Sequence, residues 1–521
     1  MRVGFRVALL LLMVLAVSAC VKSPESPYKN FYEIFVYSFY DSDGDGIGDL
    51  NGVTKKLDYI SDDLGMNGIW LMPIMPSTTY HKYDVLDYYD VDPEYGSLQD
   101  FEVLEKTAEK KGIDIIIDFV FNHTSAKHTW FIEATDYLKT LDPGEEPNIE
   151  ECPYVDYYYF SKSTDGNPSY YQVGNTGWFY EGVFWDQMPD LNLDNPAVRE
   201  EFEAIADFWI EKGVDGFRLD AAKEYHSGAG EKNIEVLRWF QDYVRSVDED
   251  IYVVAEVWDT ESTIGAYYQS GVESIFNFPL AQYNGTIVSA TRGIGNMTAE
   301  RMVERLEDQQ IFYAENNKDF TDAPFLSNHD TTRLAAQCMY DEEIMKYVAG
   351  ISMTLPGNLF IYYGEEIGMS SLGDKDENKR LAMRWTGEDI EGLCVGPIYA
   401  DEVEHKYETL DFQMQDVESL FSYYKRGIAL RKKYPAIAAG NYEVVDMMTN
   451  DNIATVIRRV EDSEEDTIIV IYNLNETEMN VEIEGLEKSY HLVDFLSIDN
   501  EEITQKGQDL IMPKRSIAIL Q

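Results

Sequence analysis

The sequence predicts an α/β protein: a (β/α)8 TIM barrel with a small domain inserted after the third strand and an antiparallel β module at the C-terminal end. Three observations predict it. Short β-rich runs alternate with amphipathic stretches over roughly 400 residues, the rhythm of parallel strands joined by helices. The rhythm breaks once, between His123 and about Asp190, where the chain is rich in Tyr, Asn, Gly and Pro. From about Lys433 the pattern changes to short alternating segments such as Thr467–Asn473 and Ser516–Leu520, which suit antiparallel strands.

Eight strands are expected at Glu33–Phe39, Gly68–Met72, Ile113–Phe119, Gly216–Asp220, Ile251–Glu256, Ser274–Phe278, Ala323–Leu326 and Leu359–Tyr363. Near-continuous apolar runs such as Ile113-Asp114-Ile115-Ile116-Ile117 suit strands covered on both faces. Helical stretches lie between them, for example Leu98–Lys111, Pro196–Lys212 and Asn233–Val247. The barrel is therefore expected over 31–123 and 191–432, the insertion over 124–190 and the C-terminal module over 433–521.

The first residues carry an export signal. Arg2 and Arg6 precede an apolar run of 11 residues, Val7 to Val17, too short to span a bilayer as a helix. Ala16-Val17-Ser18-Ala19-Cys20 follows. Small residues before a Cys resemble a bacterial lipoprotein signal, in which residues 1–20 form the signal segment and Cys20 becomes the lipidated N-terminus. Residues 21–30 then form a tether, and the protein stands outside the cell on the membrane. The alternative is a plain signal peptide cleaved nearby. The other cysteines, Cys152, Cys338 and Cys394, cannot all pair with one another, so no disulfide framework is expected.

Charge excludes one class of partner. Acidic residues number 95 against 42 basic, a formal charge of −53, and that field repels phosphate backbones. Nucleic acid is a poor partner; a neutral substrate is compatible.

Polar residues gather where the strands should end: Asp118 with Asn122-His123, Arg218 with Asp220, Glu256, and Asn328-His329-Asp330. In a barrel those ends converge on one face. Two carboxylates flanking one pocket suit glycoside hydrolysis, where one acts on the anomeric carbon and the other protonates the leaving oxygen. Asp220 and Glu256, on adjacent strands, are the candidate pair.

Asp118-Phe-Val-Phe-Asn-His123, Gly216-Phe-Arg-Leu-Asp-Ala-Ala-Lys-Glu224, Glu256-Val-Trp-Asp259 and Phe325-Leu-Ser-Asn-His-Asp330 resemble the four sequence regions of the α-amylase family, glycoside hydrolase family 13, in order and spacing. The resemblance runs from about residue 30 to the C-terminus. It implies that the C-terminal module is a β-sandwich, that Asp220 is the nucleophile, Glu256 the general acid/base and Asp330 the third carboxylate. It makes Arg218 the cation that keeps the nucleophile ionised, since an adjacent positive charge lowers a carboxylate pKa. His123 and His329 would hydrogen-bond the sugar, Tyr83 would stack beneath it, and Lys223 would border the next subsite. Asp84, Asp118 and Asn122 would support them. Two departures matter. Lys223-Glu224 replaces the family's common Lys-His pair, which puts an interdomain calcium in doubt. Met188-Pro-Asp-Leu-Asn192 mixes two subfamily signatures and resembles the group intermediate between oligo-1,6-glucosidases and neopullulanases.

Asp41-Ser-Asp43-Gly-Asp45-Gly-Ile47-Gly-Asp49 places carboxylates at nearly every second residue. Hard oxygen ligands at that density fit Ca²⁺. The twelfth position is Gly52 rather than Glu, so the loop is not an EF-hand. The resemblance implies that Asp41, Asp43, Asp45 and Asp49 with the Ile47 carbonyl hold a structural calcium. The reading that follows is a monomeric, retaining hydrolase of internal α-1,4-glucosidic bonds in starch and maltooligosaccharides. An oligo-1,6-glucosidase, an α-glucosidase or a transglycosylase would use the same residues. A non-catalytic glucan-binding protein is the reading from another class, and Asp220, Glu256 and Asp330 all being present argues against it.

Overall fold

A computed structural model describes residues 27–387, 391–460, 463–483, 485–486 and 488–521. Cys20 and most of the tether lie outside the described residues. Among those described, no helix is long and apolar enough to cross a membrane.

Seven parallel strands form one sheet. Leu359–Tyr362 pairs with Asn30–Ile34, followed in space by Gly68–Leu71, Asp114–Phe119, Gly216–Leu219, Tyr252–Ala255 and Ser274–Ile275. Nearly every residue in these strands is buried, which explains their unbroken apolar runs. The ring closes through the chain around Ala323. Thr321 N donates to Glu273 O (2.8 Å) and Asn277 N to Ala323 O (3.1 Å) on one side. On the other, Asn358 N donates to Asp322 O (2.8 Å) and Phe360 N to Pro324 O (3.0 Å). The expected seventh strand, Ala323–Leu326, is thus an irregular stave with one parallel bridge, Phe276 to Ala323. Pro324 has no N–H to give a ladder, which is the physical reason.

The first strand also differs from expectation. It spans Asn30–Ile34 rather than Glu33–Phe39, and Val36–Ser38 is a single 3-10 turn. That turn is apolar and buried, which makes it read as strand. Helices return the chain as expected. Leu98–Glu109 opens with a capping box of Ser97 and Asp100. Pro196–Glu211 starts with an Asn195 cap and a proline in the first turn, where its missing N–H costs nothing.

Between the third and fourth strands the chain makes a separate excursion. A helix, Thr129–Thr140, precedes a small antiparallel sheet of Phe160–Ser161, Tyr170–Gln172 and Phe179–Glu181. No barrel helix was expected here, and this one packs Phe131 edge-on against Tyr158 (5.1 Å) and Tyr180 (4.8 Å) of the excursion itself. The chain re-enters the barrel where Leu191 N donates to Asn122 O (2.9 Å).

After the helix Leu420–Lys433, antiparallel strands take over at Asn441–Val444. A five-stranded and a three-stranded sheet enclose a second core that includes Ile469, Ile471, Val481, Leu510 and Leu520. Arg458 Nη1 donates to Thr354 O (2.9 Å), and Thr354 and Tyr472 share a hydroxyl contact (2.9 Å), tying this sandwich to the barrel. Cys152, Cys338 and Cys394 are all free.

Candidate active site

The C-terminal strand ends open into a cavity of about 800 Å3. Asp220, Glu256 and Asp330 line it together with Tyr83, His123 and Lys223. The third, fourth and fifth strands stand side by side, in register at Asp118, Arg218 and Val254. Their ends therefore deliver Asp118, Asp220 and Glu256 around one guanidinium.

That guanidinium, Arg218, is fully buried. Its Nη1 donates to Asp118 Oδ1 (2.9 Å) and Asp220 Oδ1 (2.6 Å). Nη2 lies 2.8 Å from Glu256 Oε2 but is not aligned for a hydrogen bond. Asp220 thus receives a charge-assisted bond and Glu256 only the ion's field. Burial pushes both carboxyls up; Arg218 pulls both back, with the aligned bond acting on Asp220 alone.

The turn after the fourth strand completes this geometry. Ala221 adopts a left-handed backbone (φ 48°), uncommon for a residue with a side chain. Its N–H then points at Glu256 Oε2 (2.9 Å), while Ala222 N donates to Glu256 O (3.0 Å). Such a conformation costs about 1–3 kcal/mol and persists where the surroundings over-determine it.

Asp330 sits across the cavity. His329 Nε2 lies 2.9 Å from its Oδ2, and Arg380 Nη2 lies 2.7 Å from its Oδ1. Burial would raise this carboxyl, but the His329 and Arg380 cations outweigh it and hold it well below the usual range. Burial would likewise lower His329, but Asp330 and Glu33 lift the imidazole to about 9. Tyr83 stacks on His329 (5.6 Å, 18°), and its hydroxyl donates to Asp118 Oδ2 (3.0 Å). Burial and the Asp220 charge raise Asp118 to about 7 despite Arg218.

The supporting residues are placed as follows. His123 Nε2 donates to Tyr83 O (3.2 Å), and burial lowers its pKa to about 4, so it is neutral. Asn122 Nδ2 donates to Asp190 Oδ1 (3.2 Å), joining the third strand end to the excursion. Asp84 does not line the cavity. It accepts from the hydroxyls of Ser77, Thr78 (2.6 Å), Thr79 (2.5 Å) and Ser125 (3.2 Å), and so ties down the loop that carries Tyr83. Lys223 Nζ reaches Trp258 O (3.1 Å) and Asp259 Oδ2 (3.3 Å) at the rim.

The sequence profile of the alpha amylase catalytic domain matches residues 33–440. The chain belongs to the α-amylase family. Alpha-amylase 3 of Dictyoglomus thermophilum is 40% identical, with 94% of this chain and 93% of that protein covered. The solved structure of Eubacterium rectale Amy13B superposes with a TM-score of 0.91 at 42% identity, covering 95% of each chain. An oligo-1,6-glucosidase of Parageobacillus thermoglucosidasius is 28% identical over 80% of this chain and 84% of its own. This chain is thus a glycoside hydrolase of family 13.

Several cavity residues in this family member had no signal in the sequence. Glu33, Arg380, His81, Asp376 and Lys379 belong to none of the four motifs, and only the fold brings them to the cavity or its floor. Of Trp178, Phe179, Phe184 and Trp185, aromatic residues close together in the sequence of the excursion, the last two line the cavity. Trp178 instead lies beneath the Lys162 ammonium (4.7 Å), and Phe179 pairs within the small sheet.

The acidic loop lies away from the cavity. Carboxylate oxygens of Asp41, Asp43 and Asp49 come within 4.8 Å of one another. Asp45 stands outside this set; its carboxylate accepts from its neighbour Ile47 N (2.8 Å). Asp49 also caps the helix Leu50–Lys55 through Gly52 N (2.8 Å).

Proposed function

We propose that this family 13 hydrolase cleaves internal α-1,4-glucosidic bonds of starch and maltooligosaccharides with retention of configuration. The observation that carries the reading is the shared guanidinium: Asp220 and Glu256 both press on Arg218 while Asp330 faces them across one cavity. Carboxyls held on one guanidinium form the close pair that a retaining reaction uses, whereas inversion needs room for a water between them.

In the first step Asp220 attacks the anomeric carbon as Glu256 gives its proton to the departing glycosidic oxygen. A glycosyl ester on Asp220 results. In the second step Glu256 takes a proton from water, whose oxygen attacks the same carbon and releases Asp220. Asp330 grips the hydroxyls of the distorted ring, Tyr83 stacks beneath it, and His123 and His329 border it. Phe184, Trp185 and Trp258 are half-exposed around the cavity and offer faces to further sugar units.

The test is product analysis with maltoheptaose and, separately, isomaltose. Mixed short maltooligosaccharides released first as the α-anomer, with isomaltose untouched, support the reading. Glucose from isomaltose moves the enzyme to the oligo-1,6-glucosidase side, in keeping with the relative of that name. Release of the β-anomer ends the retaining assignment.

Three further proposals accompany this one. Asp41, Asp43 and Asp49, with the Ile47 carbonyl, would hold a structural Ca²⁺, a donor set of hard oxygens. Cys20 would carry a lipid that anchors the enzyme to the outside of the membrane, supported by the Ala16–Cys20 sequence and tested by the mass of the mature N-terminus. The working form would be a monomer, tested by light scattering.

A further inference from the structure

Glu33 stands one residue before the end of the first strand and is 1% exposed. Its Oε1 accepts from His329 Nδ1 (2.6 Å) and from the His329 backbone N–H (3.2 Å). The other imidazole nitrogen, Nε2, lies 2.9 Å from Asp330 Oδ2 and 2.7 Å from the Tyr83 hydroxyl. One fully buried imidazole therefore meets a carboxylate at each end. A neutral imidazole has one N–H and could serve only one of them. Tyr83 has an acceptor of its own in Asp118 Oδ2 (3.0 Å), which leaves Nε2 free to donate. With a carboxylate at each nitrogen, the geometry favours both donating.

The charges around the ring agree. Glu33 faces it from the first strand and Tyr83 from the loop after the second, while Trp70 presents its ring edge-on (5.6 Å, 76°). Asp118, Asp220 and Arg218 act from the third and fourth strands behind Tyr83. Arg380 donates through Nε to the His329 carbonyl (3.1 Å) and through Nη2 to Asp330 Oδ1 (2.7 Å). Four carboxylates thus face two guanidiniums, and the balance favours an imidazolium.

We propose that Glu33 is a positioning residue for the reaction: it holds His329 as an imidazolium, and His329 in turn fixes Asp330 as an ionised, oriented acceptor for the sugar hydroxyls. This rests on the hydrolytic reading above. Glu33 does not line the cavity; it acts through a ring 296 residues away in the chain. Without its charge, His329 loses a proton near neutral pH, and Asp330 loses its partner as the ring distorts toward the transition state. The cost falls on kcat more than on KM.

The test combines spectroscopy and kinetics on the full chain labelled with 15N-histidine, the His329 signal being identified by its absence from H329Q. At pH 7.5 the wild-type His329 nitrogens should both resonate as protonated, and in E33Q the ring should titrate at least about one pH unit lower. The wild-type to E33Q ratio of kcat/KM on maltoheptaose should be at least about threefold larger at pH 8.5 than at pH 6, because a ring moved from about 9 to about 8 keeps about a third as much imidazolium at pH 8.5. In an H329Q background, E33Q should add no pH-dependent loss, as expected for residues acting as one unit. A neutral His329 in the wild type at pH 7.5 overturns the proposal, and so does a pH-independent ratio. If E33Q does not fold, the wild-type spectrum still decides. If the wild type cleaves no glucan, the hydrolytic reading fails, while the nitrogen resonances still report whether Glu33 charges the ring.

Discussion

The molecule holds two concentrations of carboxylates, and they are built in opposite ways. In the loop Asp41–Asp49 the acidic groups are near neighbours in the chain and accept from the loop's own amides: Asp41 from Gly44 N (2.6 Å) and Gly46 N (2.8 Å), Asp49 from Ser42 N (2.6 Å). In the cavity Asp118, Asp220, Glu256 and Asp330 come from four separate parts of the barrel and are held by Arg218, His329 and Arg380. The loop needs only its turns to be satisfied. The cavity cluster needs the whole barrel, because its counter-ions come from separate strands and a buried charge without one is costly, whereas Asp41 and Asp49, also buried, take the loop's own amides. The comparison teaches that acidic residues at a cluster's density say little about function until their partners are known.

The sharpest way to break the comparison is to remove one charge from the cavity. D220N is nearly isosteric, so the thermal midpoint should stay while hydrolysis falls by on the order of 10⁴-fold or more. Retained activity at an unchanged midpoint would remove Asp220 from the chemistry. R218L should cost about 3–5 kcal/mol of stability, measured by denaturant unfolding, because it strands three carboxylates in a buried site. A loss below about 1 kcal/mol would mean the cavity is as self-sufficient as the loop.

The loop should respond to ions rather than to isosteres. A cation at a hundred times its Kd stabilises by about 2.7 kcal/mol. In a chain of this size that is about 3 °C. Chelator should therefore lower the wild-type midpoint by that amount and leave D43N unmoved. Equal responses in both would place any cation elsewhere.

The remaining effect is a pH dependence on the cavity side. Its carboxylates lift His329 to about 9 in the fold against an ordinary 6.5, so its stabilisation is complete below 6.5 and fades as pH rises through 9. H329Q should accordingly be further below the wild type at pH 6 than at pH 9.5, by about 3 kcal/mol. A gap that stays constant would show an uncharged ring.

How much of this the sequence carried follows from the same contrast. Asp118, Arg218, Asp220, Glu256 and His329-Asp330 were legible because each sits at a strand end inside a short motif, and the strands bring the motifs together. Asp41, Asp43 and Asp49 were legible because their geometry is local. Glu33 and Arg380 were not: each meets its partner across a distance in the chain that no local pattern records, and Glu33 stood at the start of the expected strand Glu33–Phe39 rather than near the end of Asn30–Ile34. Pro324 and its stave were overread for the converse reason. The apolar pattern was right, but a residue without an N–H cannot make a ladder. Asp45 matched the spacing of its neighbours, yet its carboxylate turns to the backbone of Ile47.

The pairing of the first barrel strand with the last has a consequence in time. Asn30–Ile34 finds one edge partner in Gly68–Leu71, but its other edge waits for Leu359–Tyr362. At ordinary rates of synthesis that partner leaves the ribosome roughly 20–60 s later. The pocket keeps the same schedule. Glu33 is made with the first barrel strand, His329 near the end of the ring, and Arg380 only after the ring is complete. A nascent chain cut between Asp330 and Leu359 holds Asp118, Asp220, Glu256 and Asp330 but lacks the strand that closes the ring, so the chemistry is withheld until nearly three quarters of the protein has been made.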